Sequence, residues 1–211
     1  MTTFAIAHGG GDVGWSWHLV AEALEAKGHT AIAPDLPIED ESKDLTDWAT
    51  TLVEALPSTE DVVVVGHSFG GFTAPLAAQR LNASALVYVT AMIPSPGEPP
   101  ADWWTNTGYE DSGLDDKFWH DVPPALAAEA RKRERGMSET AMTQPWPLEA
   151  MPDVPTHVIL CTEDRFFTQD FMREVVATRL PGTEPVELKA GHCASLSKPK
   201  ELAELLAHYA R

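Results

Sequence analysis

The chain has 211 residues, 44% of them hydrophobic and 22% charged, which suits a single globular domain with a substantial core. Its 32 acidic residues outnumber 15 basic ones, and a net charge of −17 repels phosphate backbones and anionic membrane surfaces. The expected partner is therefore a small-molecule substrate, with no nucleic acid and no membrane, and the expected assembly is a monomer or homodimer.

Phe4 to Ala7 is a short apolar run ending in His8-Gly9-Gly10-Gly11, after which Leu19, Val20, Ala23 and Leu24 recur at helical spacing until Gly28. This reads as strand, glycine loop and helix. Residues 30–33 read as a second strand, 45–56 as a helix and 62–66 as a third strand. A helix over 70–81 and a fourth strand at 85–89 follow.

The alternation stops between Pro94 and Pro155. This stretch holds nine prolines from Pro94 to Pro152, together with Trp103, Trp104, Trp119 and Trp146, and one expected helix over 124–135. A connection of this length in a compact domain is expected to be a lid or binding insertion. Its tryptophans are candidates for the wall of a mainly apolar pocket.

Alternation resumes with a strand at 157–161, a helix over 169–180 that Thr168 is placed to cap, and a strand at 185–189. In the closing helix Ser197 is the expected cap, Pro199 sits in the first turn, and Leu202, Leu205, Leu206 and Tyr209 make one apolar face. The expected fold is α/β, a mostly parallel sheet of about six strands with helices on both faces. Residues 1–93 and 156–211 form its core, and 94–155 a helical lid insertion.

Gly66-His67-Ser68-Phe69-Gly70 fits G-x-S-x-G between an apolar strand and a helix, the context of a nucleophile elbow. Such an elbow puts a serine on a sharp turn, so residues two positions either side must be small. If the glycine loop and Ser68 both follow strands of one sheet, they open at its carboxyl edge. The backbone N–H groups of Gly10 and Phe69 can then form an oxyanion hole.

Asp164 lies just past the strand ending at Cys161, and His192 just past the next one. The chain order Ser68, Asp164, His192 is that of a serine acyl-transfer triad. In it His192 takes and returns the proton of Ser68, while Asp164 fixes the imidazole tautomer. Glu163 and Asp170 are the rival acids, the latter better suited to the start of a helix.

His8 and His67 read as structural hydrogen-bonders. With His120 and His157 they lack the i, i+4 spacing of a helical zinc site, so no metal and no cofactor are expected. Cys193 is expected to pack under the histidine loop. With Cys161 it shows no disulfide or metal spacing, which points to free thiols. With no signal-like N-terminus and no long apolar segment, the expected location is cytoplasmic.

The stretches His8 to Trp17, Ala33-Pro34-Asp35-Leu36-Pro37, Val65 to Gly71, Tyr88-Val89-Thr90-Ala91, Pro145-Trp146-Pro147-Leu148, Glu163 to Phe167 and Gly191 to Ser197 together resemble the α/β-hydrolase superfamily. Within it the likeness is to the branch of plant methyl-ester hydrolases and hydroxynitrile lyases, and to bacterial α/β-fold hydrolases. The resemblance implies a serine hydrolase of small carboxylic esters, or of thioesters or amides, using Ser68, Asp164, His192 and the N–H groups of Gly10 and Phe69. The alternatives are a cyanohydrin-type lyase and a non-catalytic ligand-binding relative. Hydroxynitrile lyases of this branch carry a lysine directly after the catalytic histidine, where this chain has Cys193.

Overall fold

Apolar runs that alternate with amphipathic stretches make a parallel sheet covered on both faces, because parallel strands need a crossover helix between them. The computed structural model describes residues 1–210. In chain order it contains β1 (Thr3–Ala7), a 3-10 turn (Gly14–Trp17), α1 (His18–Glu25), β2 (Thr30–Ile32), α2 (Leu45–Glu54), β3 (Val62–His67), α3 (Gly70–Leu81) and β4 (Ala85–Val89). There follow α4 (Pro100–Asn106), α5 (Pro124–Arg131), α6 (Glu139–Thr143), β5 (Thr156–Cys161), α7 (Gln169–Arg179), β6 (Val186–Leu188), α8 (Ala194–Ser197) and α9 (Pro199–Ala207). The six strands form one sheet in the order β2-β1-β3-β4-β5-β6, and every pair is parallel.

The period of two along each strand divides the core into two layers. Ala5, Ala7, Val62, Val64, Leu86, Tyr88, Val158 and Leu160 face α2, α3 and α7. Phe4, Ile6, Val63, Val65, Val87, Val89, Ile159 and Cys161 face α1, α8 and α9, where Val20, Leu24, Leu202 and Leu206 are fully buried. No helix among the described residues is long and apolar enough to cross a membrane.

Two expected caps do not form. Ser197 ends α8 and is itself helical, so Lys198 takes the non-helical position before α9, and the Ser197 hydroxyl is buried without a partner. Thr168 does precede α7, but its hydroxyl caps nothing. Better signalled is α2, where Asp44 accepts from the N–H groups of Thr46 and Asp47 while Asp47 reaches back to the Asp44 N–H.

Residues 94–155 hold three short helices rather than one. The expected helix over 124–135 stops at Arg131, because Arg135 turns away and gives its N–H to Gly11 O at 2.9 Å. This segment is anchored to the sheet layers by a buried ion pair. Arg179 of α7 grips Glu98 with two hydrogen bonds of 2.9 and 2.8 Å, and their side chains are only 9% and 3% exposed. Glu98 also accepts from Ser95 N–H and the Asn106 amide, so its carboxylate is fully committed.

Removing one partner of such a pair strands the other charge. Glu98→Ala should lower unfolding free energy in urea by about 3–5 kcal/mol, with Glu98→Leu/Arg179→Met recovering most of it. A loss below about 1 kcal/mol for Glu98→Ala would show that the pair does not anchor the segment.

Candidate active site

The sheet order places β1 beside β3, with β2 on one side and β4 on the other, so the crossovers run in opposite directions from this pair. A crevice opens at that switch point, beyond the carboxyl ends of the two strands. Register pairs Ala7 with Gly66. The glycine loop after β1 and Ser68 after β3 therefore leave the sheet side by side.

Ser68 has φ of 50°, a left-handed conformation that an L-residue adopts at a cost of roughly 1–2 kcal/mol. The crowding around it explains the flanking glycines. A Cβ on Gly66 would lie 2.8 Å from Ala74 Cβ, and one on Gly70 would lie 2.2 Å from Ala7 O. One on Gly71 would meet Met92 O at 1.9 Å. No side chain fits at these three positions, and α3 can begin immediately after the serine only because of that.

Ser68 Oγ lies 3.0 Å from His192 Nε2, and His192 Nδ1 lies 2.7 Å from Asp164 Oδ2. His192 and Asp164 are 2% and 5% exposed. Asp164 accepts three further hydrogen bonds: from the Thr90 hydroxyl at 2.5 Å, Phe166 N–H at 2.8 Å and Phe167 N–H at 3.0 Å. Burial pushes this carboxyl up, but the attraction of His192 and these hydrogen bonds outweigh it, and the net shift is downward. With Asp164 as acceptor, His192 Nδ1 carries the proton and Nε2 is left free to receive one from Ser68. Phe118, Phe166 and Phe167 stand nearly perpendicular to the imidazole, in T-shaped contact with it.

The rival acids are elsewhere. Glu163 pairs with Lys189 at 3.7 Å, and Asp170 lies in the first turn of α7. Cys161 and Cys193 are free thiols. Cys193 lines the cavity beside His192, and burial raises its thiol, which keeps it protonated.

His67 Nε2–H donates to His192 O at 2.9 Å, fixing the backbone of the histidine loop. Burial first, then the neighbouring His192 ring, lowers the His67 imidazole to about 3. His8 is also lowered, chiefly by burial, and sits as the tautomer that donates from Nδ1 to Gly9 O at 2.9 Å while Nε2 accepts from Leu36 N–H at 3.0 Å.

Ser68, His192 and Gly10 line a cavity of about 200 Å³, and Phe118, Trp119 and Arg135 line it too. No hydrogen bond among the described residues uses the N–H of Gly10 or of Phe69. The Phe69 N–H belongs to the residue just before α3, where the helix dipole favours negative charge, while its ring packs on Trp48 and Phe72. Two unused donors beside a serine can accept a developing oxyanion.

Of the four tryptophans proposed for the pocket wall, only Trp119 lines this cavity. Trp103 and Trp146 are core residues, because folding of the 94–155 segment offers their indole N–H groups buried carbonyls, Ile93 O at 3.0 Å and Phe72 O at 2.9 Å. Trp104 packs among Trp103, Tyr109, Phe166 and Phe167. The sequence reading assigned no role to Thr90, Phe118 or Arg135. Thr90 had a signal, as the first polar residue after β4 at the same sheet edge. The other two had none, since their neighbours lie far along the chain.

The family model for the alpha/beta hydrolase family matches residues 4–205. Methylesterase 3 of Arabidopsis thaliana is 27% identical, the match covering 97% of this chain and 94% of the relative. Salicylic acid-binding protein 2 of Nicotiana tabacum is 28% identical, over 98% and 96% respectively. Among solved structures, polyneuridine aldehyde esterase superposes with a TM-score of 0.81 at 24% identity, over 99% of this chain and 98% of that one.

The buried neutral His67 makes stability depend on pH. An unfolded histidine, near 6.5, takes up a proton where the folded His67 does not, so this contribution is whole above about pH 6.5 and is lost as pH falls toward 3. The slope is about 1.4 kcal/mol per pH unit. His8 acts in the same sense, and Asp12, raised chiefly by burial, in the opposite one. Urea unfolding of the wild type and His67→Asn across that range isolates His67: the wild type should fall more steeply by about that slope, and parallel profiles would contradict a neutral His67.

Proposed function

The chain belongs to the alpha/beta hydrolase family, and on that premise we propose that it is a serine esterase that cleaves a small carboxylic ester through an acyl-enzyme on Ser68. The carrying observation is the unbroken line of hydrogen bonds from Ser68 Oγ through His192 to Asp164. Methylesterase 3, similar over nearly its whole length, supports an ester with a small alcohol part. The cavity of about 200 Å³ supports a small acyl part. Residues 94–155 serve as the lid that closes it.

In this reading Ser68 Oγ attacks the ester carbonyl as its proton passes to His192 Nε2. The carbonyl oxygen becomes an oxyanion held by the N–H groups of Gly10 and Phe69. Collapse breaks the bond to the alkoxide, which leaves with the proton from His192. A water then gives a proton to His192 and its hydroxyl to the acyl carbon, releasing the acid and restoring Ser68. Asp164 stays ionised throughout and stabilises the imidazolium. Thioesters and amides can follow the same steps. Cyanohydrin cleavage is disfavoured, since Cys193 is a neutral thiol where such lyases have a cation.

A fluorophosphonate probe should label the wild type at Ser68 and leave Ser68→Ala unlabelled. Turnover of p-nitrophenyl esters should fall as the acyl chain outgrows the cavity. Asp164→Asn should lower kcat by about 10⁴. Labelling without turnover of any ester would favour a binding protein or lyase, and full activity in Asp164→Asn would move the acid role to another carboxylate.

A further inference from the structure

Gly9, Gly10 and Gly11 follow β1 with no side chains of their own to anchor them, and Gly11 has φ of 70°. Backbone this permissive samples many orientations unless something outside it intervenes. Between backbone groups of the loop the one internal hydrogen bond among the described residues is Asp12 N–H to Gly9 O, at 3.4 Å. An oxyanion donor, however, has to be held within a fraction of an ångström of its working position.

We propose that Arg135 is a positioning residue for the acyl-transfer site, holding the glycine loop so that the Gly10 N–H faces the cavity beside Ser68. The proposal rests on the reading of Ser68 as nucleophile. Arg135 reaches the loop from the 94–155 segment with its backbone and its side chain together. Its N–H bonds Gly11 O at 2.9 Å; Nε and Nη2 both bond Asp12 O, at 3.2 and 2.7 Å; Nη1 bonds Leu36 O at 3.0 Å. Nη2 also lies 3.3 Å from His8 Nε2.

The His8 contact reaches the Gly10 N–H directly. That N–H and Gly9 C=O belong to one planar peptide, so fixing the carbonyl fixes the N–H pointing the opposite way. His8 Nδ1–H holds that carbonyl at 2.9 Å. It can donate there with Nε2 left as an acceptor, and Nε2 is met by two donors, Leu36 N–H and the Arg135 guanidinium. Arg135 thus secures the peptides after Gly10 itself and the peptide before it through His8.

The charge of Arg135 has no carboxylate within ion-pair distance among the described residues. In a chain of net charge −17 that is a selective arrangement: the planar fork is spent on carbonyl oxygens that lie in different directions. A lysine presents one nitrogen and cannot span them. Met137, two residues on, packs against the same loop, since a Cβ on Gly10 would lie 2.5 Å from its Sδ.

Arg135→Lys and Arg135→Gln in the full chain, assayed on p-nitrophenyl acetate, should lose about 10- to 100-fold in kcat with KM within about twofold, less than the loss of an oxyanion donor outright. The affinity of a boronic acid, whose adduct with Ser68 mimics the tetrahedral state, should fall by the same factor. Lysine should not rescue. In ¹⁵N relaxation the heteronuclear NOE of Gly9, Gly10 and Gly11 should drop in both variants while β1 is unchanged.

A rise in KM alone would make Arg135 a substrate-binding cation and overturn the proposal. Wild-type order of the glycine loop in both variants would overturn it too, whatever the ester assay reports. Absence of Ser68-dependent turnover in the wild type would instead remove the acyl-transfer reading, and the relaxation data would then decide the hold of Arg135 on the loop separately.

Discussion

Ser68 sits in a left-handed backbone conformation where β3 ends and α3 begins, in a space that accepts no Cβ at Gly66, Gly70 or Gly71. That crowding is what aims the hydroxyl away from the sheet. It also couples the site to the whole fold, because the atoms a Gly70 side chain would strike are the carbonyls of Ala7 and His8, at the end of the neighbouring strand. The β1–β3 register, the start of α3 and the course of the glycine loop are therefore one constraint seen from three sides. The strain of roughly 1–2 kcal/mol at Ser68 is small against the burial of the surrounding strands.

The electrostatics follow from the same convergence. Loops after β1, β3, β4, β5 and β6 meet at one edge of the sheet, bringing buried His8, Thr90, Asp164 and His192 together around a half-buried Ser68. Burial alone would neutralise the carboxylate, so it survives as an anion only with four hydrogen-bond donors around it. The two other histidines are kept neutral chiefly by burial and are oriented by hydrogen bonds, His67 to the carbonyl of His192 and His8 to that of Gly9 in the glycine loop. Each ring thereby has a fixed tautomer, and the one imidazole nitrogen facing the serine is the acceptor that acyl transfer needs.

Much of this was legible in the sequence because it is local. Apolar runs of four to six residues became strands, and the spacing Gly66, Ser68, Gly70 encodes a steric demand that the backbone itself imposes. Asp164 and His192 could be nominated from sequence because a residue just past a strand in a parallel sheet has its position set by topology. Residues 94–155 were opaque because their order comes from distant partners: Trp103 and Trp146 are held by carbonyls of Ile93 and Phe72, Glu98 by Arg179, and Arg135 by the opposite end of the chain. Aromatic character alone could not separate Trp119, on the cavity, from three tryptophans that pack the interior. Ser197 failed as a cap for a related reason, since the short helix that it ends had no periodic signal to reveal it.

The central claim is that the strained serine becomes covalently acylated by an ester and is then freed by water. Rapid mixing of the protein with excess p-nitrophenyl acetate, followed by acid quench and intact-mass measurement, tests it most directly. The account predicts a burst of p-nitrophenol near one equivalent per chain and an acetyl adduct that maps to Ser68 and decays on removal of the ester. Turnover with no burst and no adduct at any quench time, or an adduct on Cys193 that persists in Ser68→Ala, would contradict it.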